Sequence, residues 1–563
     1  MKILIIGGVA AGTKTASKII RMKPEADITI IEKGSVLSYA GCGLPYYVSG
    51  EVKDSKDLMR TPAGVVRDAA FFQNVKDVVV HGGTEALEID RSQKRIKVKV
   101  LATGAESWLS YEKLVLATGA SPVIPPIPGV TRKNVFTLHN ISDAEGIKAA
   151  LVAGSVKDIV VIGGGLIGME ASEALVAQGC RVTVVEMLPQ ILNMFDPEIA
   201  LLIQRHIESK GVKVMTGTKA LALESSAQAG DRVSQVNTDK GVLAADMVIL
   251  SVGVRPNTTL AQQAGLTLGE KTKAIHVDDQ MRTSDPDIYA AGDCVECKDR
   301  LTGGYVYVPL GSTANKQGRV VAVNICGGHE IFPGILGSAV CKVFDFCVAR
   351  TGLTEAAARS LGYDVITAMV PGPDKAHYMS QSKPLILKIV ADKKSNRLLG
   401  VQAIGPGDGS KRVDVAATAI SAGMTLDDVA NLDLSYAPPY SPAMDNLITA
   451  ANVVRNKRDG DMVGISSEAV HRKIQNGDDF VFLDVRSPQE HAEVRLPKGI
   501  LIPLGALRKR LGEIPRNKEI IVFCKISLRG YEAALILKAA GFTDVKVMEG
   551  GVVMWPYEKE ASK

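Results

Sequence analysis

The chain has 563 residues, too many for a single hydrophobic core, and its 46% hydrophobic and 23% charged residues indicate a globular protein of three or four domains. The longest apolar stretch, residues 159–169, is broken by glycines and is shorter than the ~20 residues that cross a bilayer. The net charge of +5 contains no long run of one sign, and the eight cysteines lack the spacing of a zinc site or disulfide framework. We therefore expect no membrane span, no nucleic-acid partner, no metal, and a reducing, cytoplasmic location.

The chain begins with the pattern of a βαβ unit that binds a dinucleotide. An apolar strand leads into Gly7-Gly-Val-Ala-Ala-Gly12, a helical pattern follows, and a second strand ends at Glu32. Gly7 allows the tight turn, Gly12 lets the helix pack on the strand, and the start of the helix offers amide groups to a pyrophosphate. Val9 occupies the position usually given to the second glycine, but Glu32 is well placed to bind a ribose hydroxyl.

A single cysteine follows this unit. Cys42 lies ten residues after Glu32, and the next cysteine along the chain is Cys180. An isolated cysteine is ordinarily a small buried hydrophobic residue. The flanking glycines, Gly41 and Gly43, and the position directly after a dinucleotide-binding unit favour a functional thiol instead.

The glycine pattern returns between residues 158 and 186. It has glycine at all three positions, Gly163, Gly165 and Gly168, and it again ends in an acid, Glu186. One such motif is a modest signal, whereas two in tandem, each closed by a glutamate, indicate two bound dinucleotides. Because Glu186 favours a free 2′-hydroxyl and no arginine directly follows it, we expect NADH rather than NADPH.

Two further strand-and-turn segments, 114–120 and 248–254, bracket this second unit, as if one domain were interrupted by another. The first domain would resume near residue 245 and include the segment 288–294. Asp293 follows an apolar strand there and is placed to bind a ribityl hydroxyl; an acid that merely forms a turn is the alternative.

In this order the motifs resemble those of the pyridine nucleotide-disulfide oxidoreductases over residues 1–455. The segment 38–50 is similar to the branch with one redox cysteine, which contains coenzyme A-disulfide reductases, NADH oxidases and peroxidases, and NADH-dependent persulfide reductases. Relatives with a redox dithiol have a second cysteine at the position of Tyr47. The resemblance therefore implies that Cys42 takes its partner sulfur from the substrate, that FAD and NADH are cofactors, and that coenzyme A or its persulfide is a substrate or carrier.

In that branch the C-terminal third forms a dimer interface that completes the partner's active site, and the segment 434–442 resembles its signature loop. The resemblance implies a homodimer with shared active sites. Tyr436, Tyr440 and Tyr378 are candidates to reach the partner's Cys42 as proton donor or substrate clamp, and interface packing is the alternative role of each ring. Met379 follows Tyr378 where the family often has a second tyrosine.

The last hundred residues show a separate alternation of strands and helices. A strand ends at Cys524, Arg529 follows five residues later, and a helix is expected from Tyr531 onward. Such a loop suggests an anion-binding nest of backbone amides around the sulfur. This part resembles a rhodanese domain, and the loop is one residue shorter than in the related phosphatases, which fits a persulfide. Ser527 stands where glycine is frequent, and a non-catalytic rhodanese-like module is the alternative.

These features predict that NADH reduces FAD, and that reduced flavin resolves a mixed disulfide or persulfide between Cys42 and the substrate, releasing thiol and sulfide. The reaction requires a thiolate, so we expect the flavin and a helix dipole to lower the pKa of Cys42. Cys524 would bind sulfane sulfur and pass it to Cys42 or to a carrier thiol. The alternatives are an NADH oxidase or peroxidase that cycles Cys42 through sulfenic acid, and a rhodanese-type sulfurtransferase with a regulatory flavin part.

The expected fold class is α/β, with two Rossmann-like dinucleotide-binding domains, an α+β dimerisation domain and a C-terminal rhodanese-like α/β domain. The expected bounds are 1–120 with 245–325 for FAD, 121–244 for NAD(H), 326–455 for dimerisation, 456–464 for a linker and 465–563 for the rhodanese domain. The candidate cofactor-binding residues are Gly7, Gly8, Val9, Ala10, Gly12, Glu32, Lys33, Thr118, Gly119, Gly163, Gly165, Leu166, Ile167, Gly168, Glu170, Glu186, Gly253, Gly292 and Asp293. The candidate coenzyme A contacts are Lys14, Arg21, Ser38, Arg60, Phe71 and Phe72.

Overall fold

The computed structural model describes residues 1–154, 156–226 and 229–561, which form two compact units. The first unit contains residues 1–191 and 211–335, and the second contains residues 192–210 and the chain from residue 336 onward. No helix within these described ranges is both long and apolar enough to cross a membrane.

The N-terminal part of the chain alternates parallel strands and helices and then adds a meander of antiparallel strands. Its elements are β1 (Lys2–Ile6), α1 (Ala11–Met22), β2 (Asp27–Ile31), α2 (Leu44–Ser49), α3 (Ala69–Lys76), β3 (Val78–His81), β4 (Thr84–Asp90), β5 (Arg95–Val100), β6 (Glu106–Ser110), β7 (Lys113–Leu116), β8 (Ala120–Pro122) and β9 (Val135–Phe136). The strands β1 and β2 form because they are rich in isoleucine, and their inner residues are buried on both faces of the sheet.

The chain then repeats the same alternation and returns to its first sheet. The elements are α4 (Ile141–Val152), β10 (Asp158–Ile162), α5 (Leu166–Ala177), β11 (Arg181–Val185), α6 (Pro197–Ser209), β12 (Lys213–Met215), β13 (Ala220–Glu224), β14 (Gln235–Thr238), β15 (Gly241–Ala244), β16 (Met247–Leu250), β17 (Val254–Pro256), α7 (Thr259–Gln263), β18 (Ile288–Ala290), β19 (Cys297–Lys298), β20 (Tyr305–Val306) and α8 (Gly311–Ile325).

Two five-stranded parallel sheets result, in the orders β18-β7-β1-β2-β3 and β12-β11-β10-β16-β9. In the first sheet Ile288 of β18 pairs with Leu114 of β7. A Cβ on Gly292 would lie 3.1 Å from the Cβ of Ala11 at the start of α1, so the segment that carries Asp293 lies beside the first glycine turn. Parallel strands end at one edge of a sheet, which is where open α/β sheets bind their ligands.

The second unit contains an antiparallel sheet followed by a parallel one. Its elements from residue 336 are β21 (Ala339–Val343), β22 (Phe346–Gly352), α9 (Glu355–Ser360), β23 (Val365–Pro373), β24 (Pro384–Asp392), β25 (Leu398–Gly405), α10 (Gly409–Ser421), α11 (Leu426–Ala430), α12 (Asn446–Arg458), β26 (Gly464–Ile465), α13 (Ser467–Asn476), β27 (Phe480–Asp484), α14 (Pro488–Glu493), β28 (Val494–Arg495), β29 (Ile500–Leu501), α15 (Leu504–Leu507), β30 (Glu519–Phe523), α16 (Leu528–Ala539), β31 (Val545–Met548) and β32 (Glu560–Ala561). The sheet orders are β21-β22-β25-β24-β23 and β26-β31-β30-β27-β29.

Helix α6 packs within the second unit although its residues lie in the range predicted for NAD(H) binding. Lys388 of β24, whose side chain is 1% exposed, joins it to the antiparallel sheet. The ammonium group contacts Asp196 at 2.9 Å and Glu355 at 2.8 Å, and it also binds Glu198 in the first turn of α6. Gln402 donates to Asp196 as well. A buried cation shared by three carboxylates therefore anchors this helix.

The predicted linker at residues 456–464 is largely structured. Helix α12 continues to Arg458, and Gly464 already belongs to β26, which pairs with β31. Only residues 459–463 lie between these elements. The helix after Cys524 also begins earlier than predicted, at Leu528 rather than Tyr531.

Candidate active site

The two glycine turns have the same geometry. The amide of Gly8 donates to Oε2 of Glu32 at 2.6 Å, and the amide of Gly164 donates to Oε2 of Glu186 at 2.7 Å. Each glutamate stands at the end of the second strand of its unit and turns its carboxylate toward the glycine loop. The structure thus brings both predicted ribose-binding acids to the turns that would hold a pyrophosphate.

The glycines of these turns have different reasons to lack a side chain. A Cβ on Gly7 would lie 2.0 Å from the carbonyl oxygen of Ala117, and one on Gly12 would lie 1.9 Å from that of Gly7, so both are required by packing. A Cβ on Gly165, at the start of α5, would meet nothing within 4 Å. Open space above the first amides of a helix fits a pyrophosphate.

Asp293 follows β18 and is half-buried beside the first glycine turn. Burial raises the pKa of its carboxyl group, and the nearby His139 partly offsets this. Its carboxylate accepts no hydrogen bond from any residue in the described ranges, whereas its backbone carbonyl accepts one from the Tyr307 hydroxyl at 2.9 Å. An unpaired carboxylate at this edge of the sheet fits the predicted contact with a ribityl hydroxyl.

Cys42 lies in a short 3-10 turn over Gly41–Gly43, directly before α2. The turn is fixed because the amide of Ala40 donates to the carbonyl of Leu58 at 2.9 Å, and a Cβ on Gly43 would lie 2.4 Å from the Leu58 side chain. The residue is exposed and its thiol is free. A free, accessible thiol can form a bond to the sulfur of a small molecule.

The groups that the protein itself provides raise the pKa of Cys42, and the lowering expected from a bound flavin stays a prediction. Desolvation by the surrounding atoms raises the pKa of the thiol although the residue is exposed, and the carboxylates of Glu170 and Asp293 raise it further. A backbone hydrogen bond at Cys42 lowers the pKa, but its effect is smaller than each of these three.

Glu170 on α5 is therefore coupled electrostatically to the cysteine. Burial, and then the charge of Glu173, raise the pKa of the Glu170 carboxyl group to about 7. The pKa of Glu170 is higher in the folded protein than in the unfolded chain. Between about pH 4.5 and 7 the folded protein therefore keeps a proton on this carboxyl group, whereas the unfolded chain has released it. Stability from this group is present at low pH and is lost as the pH rises through 7.

We expect Glu170→Gln to increase the rate at which Cys42 is alkylated above pH 7, because the substitution removes a negative charge that disfavours the thiolate. Below pH 6, where Glu170 is already protonated, the two proteins should react alike. The pH dependence of iodoacetamide modification measures this. Glu173→Gln is the comparison variant: it should lower the pKa of Glu170 but keep the Glu170 charge, so it should not increase the rate above pH 7. An equal increase in both variants, or none in Glu170→Gln, contradicts the coupling.

The three predicted tyrosines lie on exposed loops of the second unit. Tyr378, Tyr436 and Tyr440 are 65%, 51% and 72% exposed. Slight desolvation, and then a hydrogen bond with Tyr436, raise the pKa of Tyr378, so these two hydroxyl groups are neighbours. Exposed tyrosines of this kind are typical of surfaces that meet a partner.

A buried arginine that sequence reasoning missed ties the two tyrosine loops together. Arg412 is 1% exposed and pairs with the carboxylate of Asp445 at 3.0 Å, just after the loop of Tyr436. It also donates to the carbonyl oxygen of Asp374 at 2.8 Å, just before the loop of Tyr378. One guanidinium group with several donors can hold two loop ends at once.

The residues predicted to contact coenzyme A differ in how much of their surface is exposed and in whether they already have partners. Phe72 is 1% exposed in the apolar core beside β1 and β2, so its side chain offers coenzyme A almost no surface in this structure. Ser38 is also buried, and its amide donates to Gly8 at 2.9 Å. Arg60 already binds Asp57 at 2.9 Å. Lys14, Arg21 and Phe71 retain partial or full exposure, and their role stays a prediction.

Cys524 follows β30 and is fully buried, with the loop of residues 525–529 folded around it. The backbone of Gly551 lies so close that an added Cβ would be 2.3 Å from the Cys524 carbonyl oxygen, and the amide of Val552 donates to that oxygen at 2.9 Å. These contacts fix the backbone of Cys524 at the end of β30.

The positive charge of Arg529 beside Cys524 is already paired with a carboxylate. Arg529 contacts the thiol, but it also forms two hydrogen bonds of 2.7 Å with the carboxylate of Glu490. This pairing is the largest influence that lowers the pKa of Glu490, to about 2. Glu490 was not predicted as a site residue from the sequence. The segment Ser487-Pro-Gln-Glu490 could have indicated its position, because it has the capping-box pattern that begins α14.

Ser527 adopts a backbone conformation that explains why glycine is frequent at its position. Its φ is 83°, in the left-handed region that a Cβ disfavours. We expect Ser527→Gly to stabilise the rhodanese part by roughly 0.5–1 kcal/mol, as measured by chemical denaturation. Ser527→Ala, which keeps the Cβ and loses only the hydroxyl contact to Met548, should not stabilise it. A stabilising Ala variant would contradict the role of backbone strain.

The fold and these sites define a class, and the chain belongs to it: the pyridine nucleotide-disulphide oxidoreductases, whose family model matches residues 1–318. The dimerisation domain of the same family matches residues 338–448, and a rhodanese-like domain matches residues 466–557. The resemblance seen in the sequence and the α/β fold class are confirmed. Proteins of this family use FAD and NAD(P)H.

Particular relatives narrow the comparison. A NAD(P)H sulfur oxidoreductase (CoA-dependent) of Pyrococcus abyssi is 40% identical over 80% of this chain and 98% of its own length. The solved NAD-dependent persulfide reductase of A. fulgidus is 46% identical, with a TM-score of 0.93 over 99% of this chain and 100% of that one. A reduced CoADR-RHD of Bacillus anthracis is 36% identical, with a TM-score of 0.91 over 98% and 97%.

Proposed function

We propose that this protein is an FAD-dependent enzyme that uses NADH to reduce persulfides, polysulfides or coenzyme A disulfide. The observation that carries the proposal is the free thiol of Cys42 in a chain that also contains Cys524 in a rhodanese loop. The relatives named as a coenzyme A-dependent sulfur oxidoreductase and a persulfide reductase support it, because the latter aligns over nearly the whole chain.

The chemistry follows from one thiolate and two electrons. The Cys42 thiolate attacks a sulfur of R–S–SH, and either thiolate RS⁻ or hydrosulfide HS⁻ leaves, so that Cys42 becomes a persulfide or a mixed disulfide. FAD, when bound, supplies the two electrons of NADH that break this new bond and restore the thiolate. The net reaction is NADH + H⁺ + RSSH → NAD⁺ + RSH + H₂S, and R is the coenzyme A group in the simplest case.

The domain assignments belong to this proposal. Residues 1–120 and 245–325 bind FAD through the first glycine turn, Glu32 and Asp293, and residues 121–244 bind NADH through the second turn and Glu186. The hydrogen bonds of Glu32 and Glu186 to their turns support this division, as does the open space at Gly165. Residues 326–455 dimerise and residues 465–563 form the rhodanese domain, of which 562 and 563 lie outside the described residues.

We further infer a homodimer in which the tyrosine loops complete the partner's active site. The matched dimerisation domain and the exposure of Tyr378, Tyr436 and Tyr440 support this arrangement. In it a tyrosine hydroxyl donates the proton that the leaving thiolate needs. The eight free cysteines fit a reducing compartment such as the cytoplasm.

The test is an anaerobic assay of NADH oxidation by the FAD-loaded protein. Coenzyme A persulfide, coenzyme A disulfide and polysulfide should each support turnover, with sulfide formed from the first and third. Peroxide should support none, and oxygen should support little when admitted. Turnover with peroxide or oxygen alone would show an oxidase or peroxidase, and sulfur transfer from thiosulfate without NADH-linked turnover would show a sulfurtransferase.

A further inference from the structure

The junction between the dimerisation and rhodanese parts is tied along its whole length. In the short segment 459–463, the amide of Met462 donates to the carbonyl of Asn456 at 3.1 Å, and the carbonyl of Val463 accepts from Val547 of β31 at 2.8 Å. Val453 of α12 packs against the rhodanese core, and Met462 belongs to that core. The connection is thus a packed joint rather than a free tether.

One ion pair crosses this joint. Nζ of Lys457, on the last turn of α12, lies 2.5 Å from Oε1 of Glu549 in the rhodanese part, and it also donates to the carbonyl of Thr367 in β23 at 2.6 Å. The side chains of Lys457 and Glu549 are 15% and 13% exposed. A pair that is this shielded from water is less weakened by salt than a surface pair.

Glu549 is connected directly to the Cys524 loop. It precedes Gly550 and Gly551, and the backbone of Gly551 packs against the carbonyl oxygen of Cys524. A Cβ on Gly464 would lie 2.0 Å from Oε1 of Glu549, so the chain at residue 464 makes room for this carboxylate. The carboxylate therefore joins the sulfur-binding loop to α12, whose other end begins directly after the loop of Tyr436.

We propose that Lys457 and Glu549 are positioning residues that fix the Cys524 loop in one orientation on the dimerisation domain, so that sulfur leaving Cys524 is delivered to the reductase reaction. This inference rests on the proposed function, because it concerns the reaction that uses both cysteines. The pair does not take part in bond breaking. Its loss should leave each half-reaction intact and slow only the reaction that needs both.

The experiment compares Lys457→Gln with the unaltered FAD-loaded, full-length protein in three anaerobic assays. NADH-linked reduction of polysulfide, which uses both cysteines, should fall in kcat by about fivefold or more, with the KM for NADH unchanged. Reduction of coenzyme A disulfide at Cys42, and transfer of sulfur from thiosulfate to cyanide at Cys524, should stay within about twofold. Hydrogen exchange of the amides at 459–463 and 549–553 should become faster.

A double-mutant cycle separates positioning from simple loss of charge. Glu549→Gln should give the same defect, the Lys457→Gln and Glu549→Gln double variant should be no worse than either single one, and Lys457→Arg should restore much of the rate. Lys473→Gln is the matched control, since Lys473 pairs with Glu519 at 2.8 Å within the rhodanese part. That control should leave all three activities unchanged.

Three results overturn the inference. In the first, Lys457→Gln reduces polysulfide at an unchanged or higher rate although hydrogen exchange at the joint becomes faster. In the second, Lys457→Gln loses activity equally in all three assays. In the third, Lys457→Gln and Lys473→Gln have equal effects. Failure of the unaltered protein to reduce polysulfide with NADH would instead refute the proposed function. The inference would then fail as well, because there would be no polysulfide reduction for Lys457 and Glu549 to support, even if Lys457→Gln made hydrogen exchange at the joint faster.

Discussion

Replacement of Cys42 by serine should lower NADH-linked reduction of persulfide, polysulfide and coenzyme A disulfide by at least ~10³-fold. A hydroxyl group cannot form the sulfur–sulfur bond through which the substrate is reduced, and the following cysteine in the sequence is Cys180, 138 residues on. Anaerobic NADH oxidation and sulfide release measure the loss. Cys180→Ser, at a free and half-buried cysteine, is the matched control and should keep full activity.

The Cys524→Ser variant tests whether the two thiols have separate roles. Because Cys524 lies in a separate domain, its loss should leave coenzyme A disulfide reduction unchanged and mainly reduce turnover of bulky or polymeric sulfur. Equal activity of the Cys42→Ser and Cys524→Ser variants on every substrate would defeat the scheme, since it would mean that neither thiol has the role assigned to it.

Removal of the charge at Lys388 should cause a larger loss of folding stability than any other substitution described above. Lys388→Met leaves Asp196, Glu198 and Glu355 without their shared cation, and breaking a buried ion pair in this way costs ~3–5 kcal/mol. The damage should appear at α6, which these carboxylates anchor. Hydrogen exchange of the α6 amides and urea denaturation at pH 7 measure it.

The pH dependence of this loss has a definite sign. Burial favours the neutral forms of these groups, but the three carboxylates outweigh it and raise the pKa of Lys388, and Lys388 in turn holds the pKa of Glu355 below its usual value. A lowered carboxyl pKa contributes stability above its unfolded value that is lost as the pH falls through the folded one. The penalty of Lys388→Met should therefore be largest near pH 7 and shrink below about pH 4. Lys393→Met, at an exposed lysine, should show no such penalty, and an equal loss there would contradict the argument.

The order of elements was readable from the sequence because it rests on local patterns. Isoleucine-rich strands, glycine turns and closing acids identified β1, β2, β10 and β11, and β2 and β11 end one residue before the predicted acids Glu32 and Glu186. The packing of α6 within the second unit was not readable. It depends on Lys388, which is 190 residues away from Glu198, and a single lysine in a strand carries no local signal of its partners.

For the candidate sites, residue type was readable and environment was not. Glu32, Glu186 and Cys42 stand where the motifs placed them, since the turns themselves fix their positions. The raised pKa of Cys42 arises first from desolvation and then from the charges of Glu170 and Asp293, and both of these residues lie more than a hundred positions later in the sequence, so no local pattern indicates it. The burial of Phe72 was not readable either, because nearness in sequence to the Cys42 loop does not reveal which face of α3 enters the core.

The packed joint at residues 459–463 also decides where this chain can be divided. A fragment that starts at β26 would lose Met462 from its core and expose the apolar surface that Val453 covers. It would also leave Glu549 without its cation. A rhodanese fragment made for crystallography or for fusion to another enzyme should therefore begin before α12, with the last helix of the reductase included as its N-terminal support.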